Sequence, residues 1–214
     1  MPYGEHRFRL QRAENRLAHF HGVVMNGSAM NLCVFLASRS GIEPAWGECT
    51  RHFAAAVADR GYRLMYGGAR VGLMGTLADT ALGAGVEVYG VIPQCLVELE
   101  VAHPHLTQLS IVDSMHERKR QMADWSDAFV LLPGGVGSLE EIFEMITWKQ
   151  LGIHQKPVAI LNPSGFYDQL LSFLDHCVEA DFVRQPLLDS IIVETEIDVL
   201  FERLESEHIR SSQS

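Results

Sequence analysis

The residues best suited to chemistry lie in one run, Leu132-Pro133-Gly134-Gly135-Val136-Gly137-Ser138-Leu139-Glu140-Glu141. Three glycines in four positions separate an apolar, strand-like stretch from a helix-like one. Glycines at that junction leave the amides of the first helical turn uncovered, with no intrahelical acceptor. An anion placed there gains hydrogen bonds and the positive end of the helix dipole, the latter about 0.3–1 kcal/mol. A phosphate is the natural guest. Lys and Arg number 17 against 27 Asp and Glu, a net charge of −10. That excess does not forbid an anion, because exposed charges are largely screened beyond about 8 Å. Ser138 and Glu141 admit two readings. Ser-x-x-Glu at a helix start is a capping box, with each side chain bonded to backbone at the other's end. A carboxylate in the first turn of a phosphate-binding helix also sits beside whatever carries the phosphate. Glu140 lies about 100° round the helix from Glu141, so the two cannot act as a facing pair.

Two further turns and one basic cluster surround this run in the reading. Tyr66-Gly67-Gly68-Ala69-Arg70-Val71-Gly72-Leu73-Met74-Gly75 is a glycine-rich turn ahead of a helix, yet it matches neither the P-loop nor the GxGxxG pattern. Ala37-Ser38-Arg39-Ser40-Gly41 is a small polar turn with two hydroxyls. Met115-His116-Glu117-Arg118-Lys119-Arg120 holds three consecutive cations, the densest basic cluster in an acidic chain. It is either a solvated helix face or a cationic wall of the anion site, where Arg forks onto phosphate or ring nitrogens.

Positioning these turns requires alternating strands and helices. Apolar runs predict strands over 32–37, 62–66, 86–92, 109–112, 128–132, 157–161 and 191–193. Most are continuous rather than alternating, which marks strands buried on both faces of a parallel sheet. Helices are expected over 45–60, 73–82, 115–125, 138–151, 165–179 and 196–207. The fold class is therefore α/β: a Rossmann-like, doubly wound, mostly parallel sheet of about seven strands with helices on both faces. Ligands of such folds bind beyond the carboxyl ends of strands, where all three turns lie. Residues 30–214 read as a single domain. Residues 1–29, with Arg7, Arg9, Arg12 and Arg16 against Glu5 and Glu14, read as a flexible extension or as an upstream start before Met30.

Other chemistries find less support. Cys33, Cys49, Cys95 and Cys177 form no CxxC, and such scattered thiols suit a reducing cytoplasm. No apolar run reaches the roughly 18 residues of a membrane span. The acidic balance disfavours non-specific binding to nucleic acid or anionic membranes. His103, His105, Asp113 and His116 are the nearest approach to a metal set, but Pro104 interrupts them and they share no ligand face. Ser138 stands outside any G-x-S-x-G elbow.

Together these motifs resemble the LOG ("Lonely Guy") family of cytokinin riboside 5′-monophosphate phosphoribohydrolases. The family hallmark PGGxGTxxE is read from Pro133 to Glu141, with Ser138 in place of Thr. The similarity extends to Thr147-Trp148-Lys149-Gln150-Leu151-Gly152, to Met-x-x-Arg-Lys from Met115 to Lys119, and to the turn at Tyr66. Ala69 replaces the third glycine of YGGG, and Ala37-Ser38-Arg39 replaces Gly-Ser-Ser. The resemblance implies hydrolysis of the N-glycosidic bond of an adenosine-type 5′-monophosphate, giving free base and ribose 5-phosphate. It implies Arg118 and Glu141 as the catalytic pair. Substrate contacts are implied at Ser38, Gly67, Gly68, Glu100, Lys119, Gly134, Gly135, Val136, Gly137, Ser138 and Thr147. It implies no cofactor and no metal, a nucleoside 5′-monophosphate as the small-molecule partner, and a homodimer or larger assembly. Two other readings stay open at this stage. One is a non-catalytic nucleotide or molybdenum-cofactor carrier of similar fold. The other is a lysine decarboxylase, which would need pyridoxal phosphate on one of only three lysines, Lys119, Lys149 and Lys156.

Overall fold

The computed structural model describes residues 29–97 and 102–212. All of the expected N-terminal extension except Ala29 lies outside them, as does Glu100. Seven strands form one sheet, all parallel: β1 (Asn31–Phe35), β2 (Arg63–Tyr66), β3 (Val88–Pro93), β4 (Gln108–Val112), β5 (Ala128–Leu131), β6 (Val158–Leu161) and β7 (Ile191–Glu194). Their order across the sheet is β4-β3-β2-β1-β5-β6-β7. The helices are α1 (Pro44–Asp59), α2 (Gly72–Gly83), α3 (Gln94–Val97), α4 (Met115–Trp125), α5 (Val136–Gln150), α6 (Asp168–Glu179), α7 (Gln185–Asp189) and α8 (Ile197–Ser212).

The period-2 geometry of strands divides each apolar run between two cores. Leu32, Val34 and Leu36 face one core, while Cys33 and Phe35 face the other. Ala128, Val130 and Leu132 are likewise divided from Phe129 and Leu131. Phe53, Leu77 and Phe201, from α1, α2 and α8, cover the first face. Met122, Ile142 and Met145, from α4 and α5, cover the second. Continuous apolar strands are the consequence of this double covering.

The chain winds outward from β1 to β4, then returns to the other side of β1 with β5. After β1 it crosses to the α1 face, and after β5 to the α5 face. The two connections part, opening a crevice beyond the carboxyl ends of β1 and β5. The short helices α3 and α7 were not expected, and another helix starts later than expected. The helix expected from 165 begins at Asp168, after a 3₁₀ turn over Pro163–Gly165. Ser164 and Gly165 have φ of 53° and 71° there, which an α-helix cannot continue through. No helix among the described residues is long and apolar enough to cross a membrane.

Candidate active site

The crevice holds a cleft of about 330 Å³, lined by the turns after β1, β2 and β5 and by the first turns of α4 and α5. Its walls include Ser38, Arg39, Gly67, Met74, Arg118 and Glu141, with Gly135, Val136, Gly137 and Ser138 along one side.

Backbone hydrogen bonds hold the turns together. Leu132 N donates to Phe35 O at 2.9 Å, and Ala37 N donates to Pro133 O at 3.2 Å. Buried Tyr167 donates its hydroxyl to Leu132 O at 2.8 Å. Gly134 is required by packing: a Cβ there would lie 2.3 Å from Ser138 Oγ. Gly135 is the N-cap of α5, and no side-chain hydrogen bond caps this helix. The amides of Val136, Gly137 and Ser138 therefore belong to the first turn, with no acceptor inside the helix.

This corrects the capping-box reading of Ser138 and Glu141. The helix begins at Val136, two residues before its expected start, so Ser138 is its third residue rather than its cap. Glu141 turns instead to α4, where Arg118 Nη2 donates to its Oε1 at 2.9 Å. Both side chains are about nine-tenths buried, at 7% and 10% exposure. The capping geometry occurs at α4 instead. Ser114 Oγ accepts from Glu117 N at 3.1 Å, and Glu117 accepts from Asp113 N at 3.0 Å. This Ser-x-x-Glu signal stands in the sequence directly before Arg118, and the sequence reading passed over it. It fixes the start of the helix that carries Arg118.

Two more features set Arg118. A Cβ on Gly67 would lie 2.2 Å from its Nη2, so the glycine-rich turn makes room for the guanidinium. Its buried Nε has no hydrogen-bond partner among the described residues. A buried guanidinium N–H without a protein acceptor is an unmet donor, which the fold carries at this position.

Lys119, next along α4, is also buried but does not line the cleft. Its Nζ pairs with Glu140, and with Glu144 Oε2 at 3.0 Å. Burial works against its charge, but the hydrogen bonds and charges of Glu140 and Glu144 outweigh this and raise its pKa. Arg118–Glu141 and Lys119–Glu140–Glu144 thus tie α4 to α5 side by side. Gly68 is buried in its turn, with φ +79° and its carbonyl accepting from His103 N at 2.9 Å. Thr147 lies farther along α5, exposed, with its hydroxyl donating to Phe143 O at 2.7 Å, and does not line the cleft. The cleft also takes Met74 and Met115, apolar members of the quoted motifs, and Val34, Leu36 and Leu96, apolar residues that carried no motif.

The remaining candidate chemistries find no site here. No group of three or more His, Cys, Asp or Glu among the described residues could hold a metal. His103 bonds Asp79 at 3.0 Å and accepts from His105 N at 3.3 Å, which gives it a structural role. None of the three lysines lines the cleft, so a Schiff-base cofactor does not fit. Lys149 donates to Lys156 O and Lys156 to Ala123 O, and burial lowers the pKa of both. Burial, strengthened by the charge of Glu141, raises Cys33 and keeps it a thiol.

Comparison with known proteins gives a consistent lineage. Residues 74–204 match a family described as possible lysine decarboxylase. A probable cytokinin riboside 5′-monophosphate phosphoribohydrolase of Oryza sativa subsp. japonica is 42% identical over 182 residues, 85% of this chain and 81% of that one. A cytokinin riboside 5′-monophosphate phosphoribohydrolase of Rhodococcoides fascians is 43% identical over 169 residues, 78% of this chain and 85% of that one. Among solved structures, the molybdenum cofactor binding protein of Rippkaea orientalis has a TM-score of 0.61 at 18% identity, covering 85% of this chain and 98% of that one. The Moco carrier protein of Chlamydomonas reinhardtii has a TM-score of 0.64 at 16% identity, covering 86% and 99%. At that identity the likeness shows a shared fold and nothing of the site. With more than two-fifths of residues shared with curated relatives over most of its length, the chain belongs to the LOG family of cytokinin riboside 5′-monophosphate phosphoribohydrolases.

Proposed function

We propose that this protein hydrolyses the N-glycosidic bond of an adenosine-type nucleoside 5′-monophosphate, N6-modified in the cytokinin case. The single observation that carries the reading is the Arg118–Glu141 pair, 2.9 Å apart, on the wall of a cleft beside the uncapped N-terminus of α5. The 5′-phosphate sits against the amides from Gly134 to Ser138, where the loop and the helix dipole favour negative charge. That places the ribose beside Glu141. As the C1′–N9 bond breaks, positive charge grows on the sugar, and a fixed carboxylate stabilises it. Glu141 also orients the attacking water and accepts its proton. Oxygen bonds to C1′ and the base leaves carrying N9–H, so one water is consumed per turnover. Arg118 holds Glu141 through Nη2 and places its positive charge on the wall beside the nucleotide. Ser38 and Gly67 shape the facing wall, and Gly68, buried in the turn behind it, joins the substrate set through family resemblance. Lys119 and Thr147 belong to the proposed substrate set through family resemblance, and so does Glu100.

The same reading takes the protein as a cytoplasmic homodimer. Exposed Leu151, Ile153, Phe173 and Phe182 supply apolar surface for a second copy. The carrier alternative rests on fold likeness alone, whereas relatives of more than 40% identity carry the phosphoribohydrolase name.

The test is chromatographic detection of free base from AMP, N6-isopentenyladenosine 5′-monophosphate and the matching nucleosides. Base should come from the monophosphates and not from the nucleosides. Glu141→Gln should lower kcat by about 10²–10³-fold, the loss expected when a principal electrostatic group is removed, while nucleotide still binds. Wild-type rates in that variant would remove Glu141 from catalysis.

A further inference from the structure

We infer that Arg39 is a phosphate-recognition residue of this cleft, a role outside the family motif, which has Ser at that position. The inference rests on the nucleotide reading above and names what this chain adds to it. Among the described residues, two cations line the cleft, Arg39 and Arg118. Arg118 is committed to Glu141. Arg39 is exposed and makes no hydrogen bond or ion pair with any described residue. The carboxylates of the lining already have cationic partners: Glu141 has Arg118, and Glu140 has Lys119, which it shares with Glu144. Among the described residues of the lining, Arg39 is the cation without a carboxylate partner.

Its backbone is held in place. Gly72, at φ +57°, packs so closely that a Cβ there would lie 2.4 Å from Arg39 N and 2.5 Å from Ser38 O. Two residues earlier, Ala37 N bonds Pro133 O at 3.2 Å, and a Cβ on Gly134 would lie 3.2 Å from Ala37 N. The β1 turn thus runs against the β5–α5 loop. Successive Cα atoms are about 3.8 Å apart, so the base of Arg39 is within about 8 Å of the residue touching that loop. The long Arg side chain spans such a gap. Arg39 and the residues of the α5 start line the same cleft, so its planar fork is within reach of a dianion held there. A charge-assisted pair of that kind is about twice as strong as a neutral hydrogen bond. It discriminates a phosphorylated ligand from its nucleoside.

Ribose 5-phosphate is the probe for binding, and base release from AMP is the readout for turnover. Arg39→Ser should weaken ribose 5-phosphate about tenfold by calorimetry, or about 1.4 kcal/mol. It should raise the KM for AMP by a similar factor while kcat changes less than threefold. Arg39→Lys, which keeps the charge and loses the fork, should fall between. The affinity of the serine variant should depend less on salt than that of wild type. Ribose 5-phosphate affinity unchanged in Arg39→Ser would overturn the inference. A drop in kcat at constant KM and constant affinity would also overturn it. Because binding is measured without turnover, loss of affinity in Arg39→Ser supports the inference even if wild type releases no base. Absent base release would count only against the hydrolase reading.

Discussion

Replacing Gly67 by alanine separates catalytic geometry from stability. The added Cβ would stand 2.2 Å from Arg118 Nη2 and 2.6 Å from Met74 Cε. Both atoms are ends of flexible side chains, so each can retreat without breaking the turn. An ordinary contact requires Nη2 to move by about 1.2 Å. That same atom makes the 2.9 Å bond to Glu141 Oε1. Displacement stretches the pair toward about 4 Å, outside hydrogen-bond range. Overpacking of this kind costs about 1 kcal/mol, at the low end for inserted atoms. For a chain of this size that lowers Tm by about 2–4 °C. Misplacing a catalytic group by about 1 Å costs on the order of 10²-fold. Gly67→Ala should therefore melt within about 4 °C of wild type and lose about 100-fold in kcat/KM for AMP. The assay is initial-rate base release beside thermal unfolding followed by circular dichroism. A folded variant with kcat/KM within threefold of wild type would refute the argument, because Arg118 would then not need the position it holds.

Two further outcomes are expected. Burial holds His154 at about 4, below its usual 6.5, so the fold keeps it neutral while the unfolded chain takes up a proton. Stability from this group is complete above about pH 6.5 and is lost as pH falls towards 4. Urea titrations between pH 7.5 and 4 should show a shallower decline for His154→Gln than for wild type, and equal slopes would exclude the effect. Tyr167→Phe removes the hydroxyl that bonds Leu132 O at 2.8 Å and leaves a buried carbonyl unpaired. It should cost about 1–3 kcal/mol in urea unfolding. It should also raise the KM for AMP, since the loop that leads into α5 loses its buttress; an unchanged KM would separate that contact from the site.

Much of this molecule was legible from local pattern. Each of the seven expected strands is present, because a run such as Leu32-Cys33-Val34-Phe35 is apolar on both faces and only a covered parallel strand satisfies it. The turn at Gly134 was readable because glycine there has a local cause, the closeness of Ser138. Misreadings cluster where two local patterns compete. Ser138-x-x-Glu141 and Ser114-x-x-Glu117 carry the same capping signature, yet only the second forms it. At Ser138 the helix starts earlier, and Glu141 has a stronger partner in Arg118. The 3₁₀ turn at Pro163 had a local signal in Asn162-Pro163-Ser164-Gly165, whose Asn-Pro and Ser-Gly pairs mark turns, yet the helix was expected to start within it, at Gly165.

By itself, then, the amino-acid sequence determined the α/β alternation, the three turns that lead out of strands, and the residue types available at each. These follow from periodicity and backbone freedom, which act over a few residues. Only tertiary structure decided that β5 lies beside β1, since strand order depends on how two cores close around the sheet. That placement brings the turn at Ser38 to the loop at Gly134, and α4 alongside α5. It also divides the cations between different tasks: Arg118 meets Glu141, Lys119 is taken up by Glu140 and Glu144, and Arg39 lines the cleft with no ion pair among the described residues. Those assignments depend on distances of a few ångströms between residues far apart in the chain, and no local pattern encodes such distances.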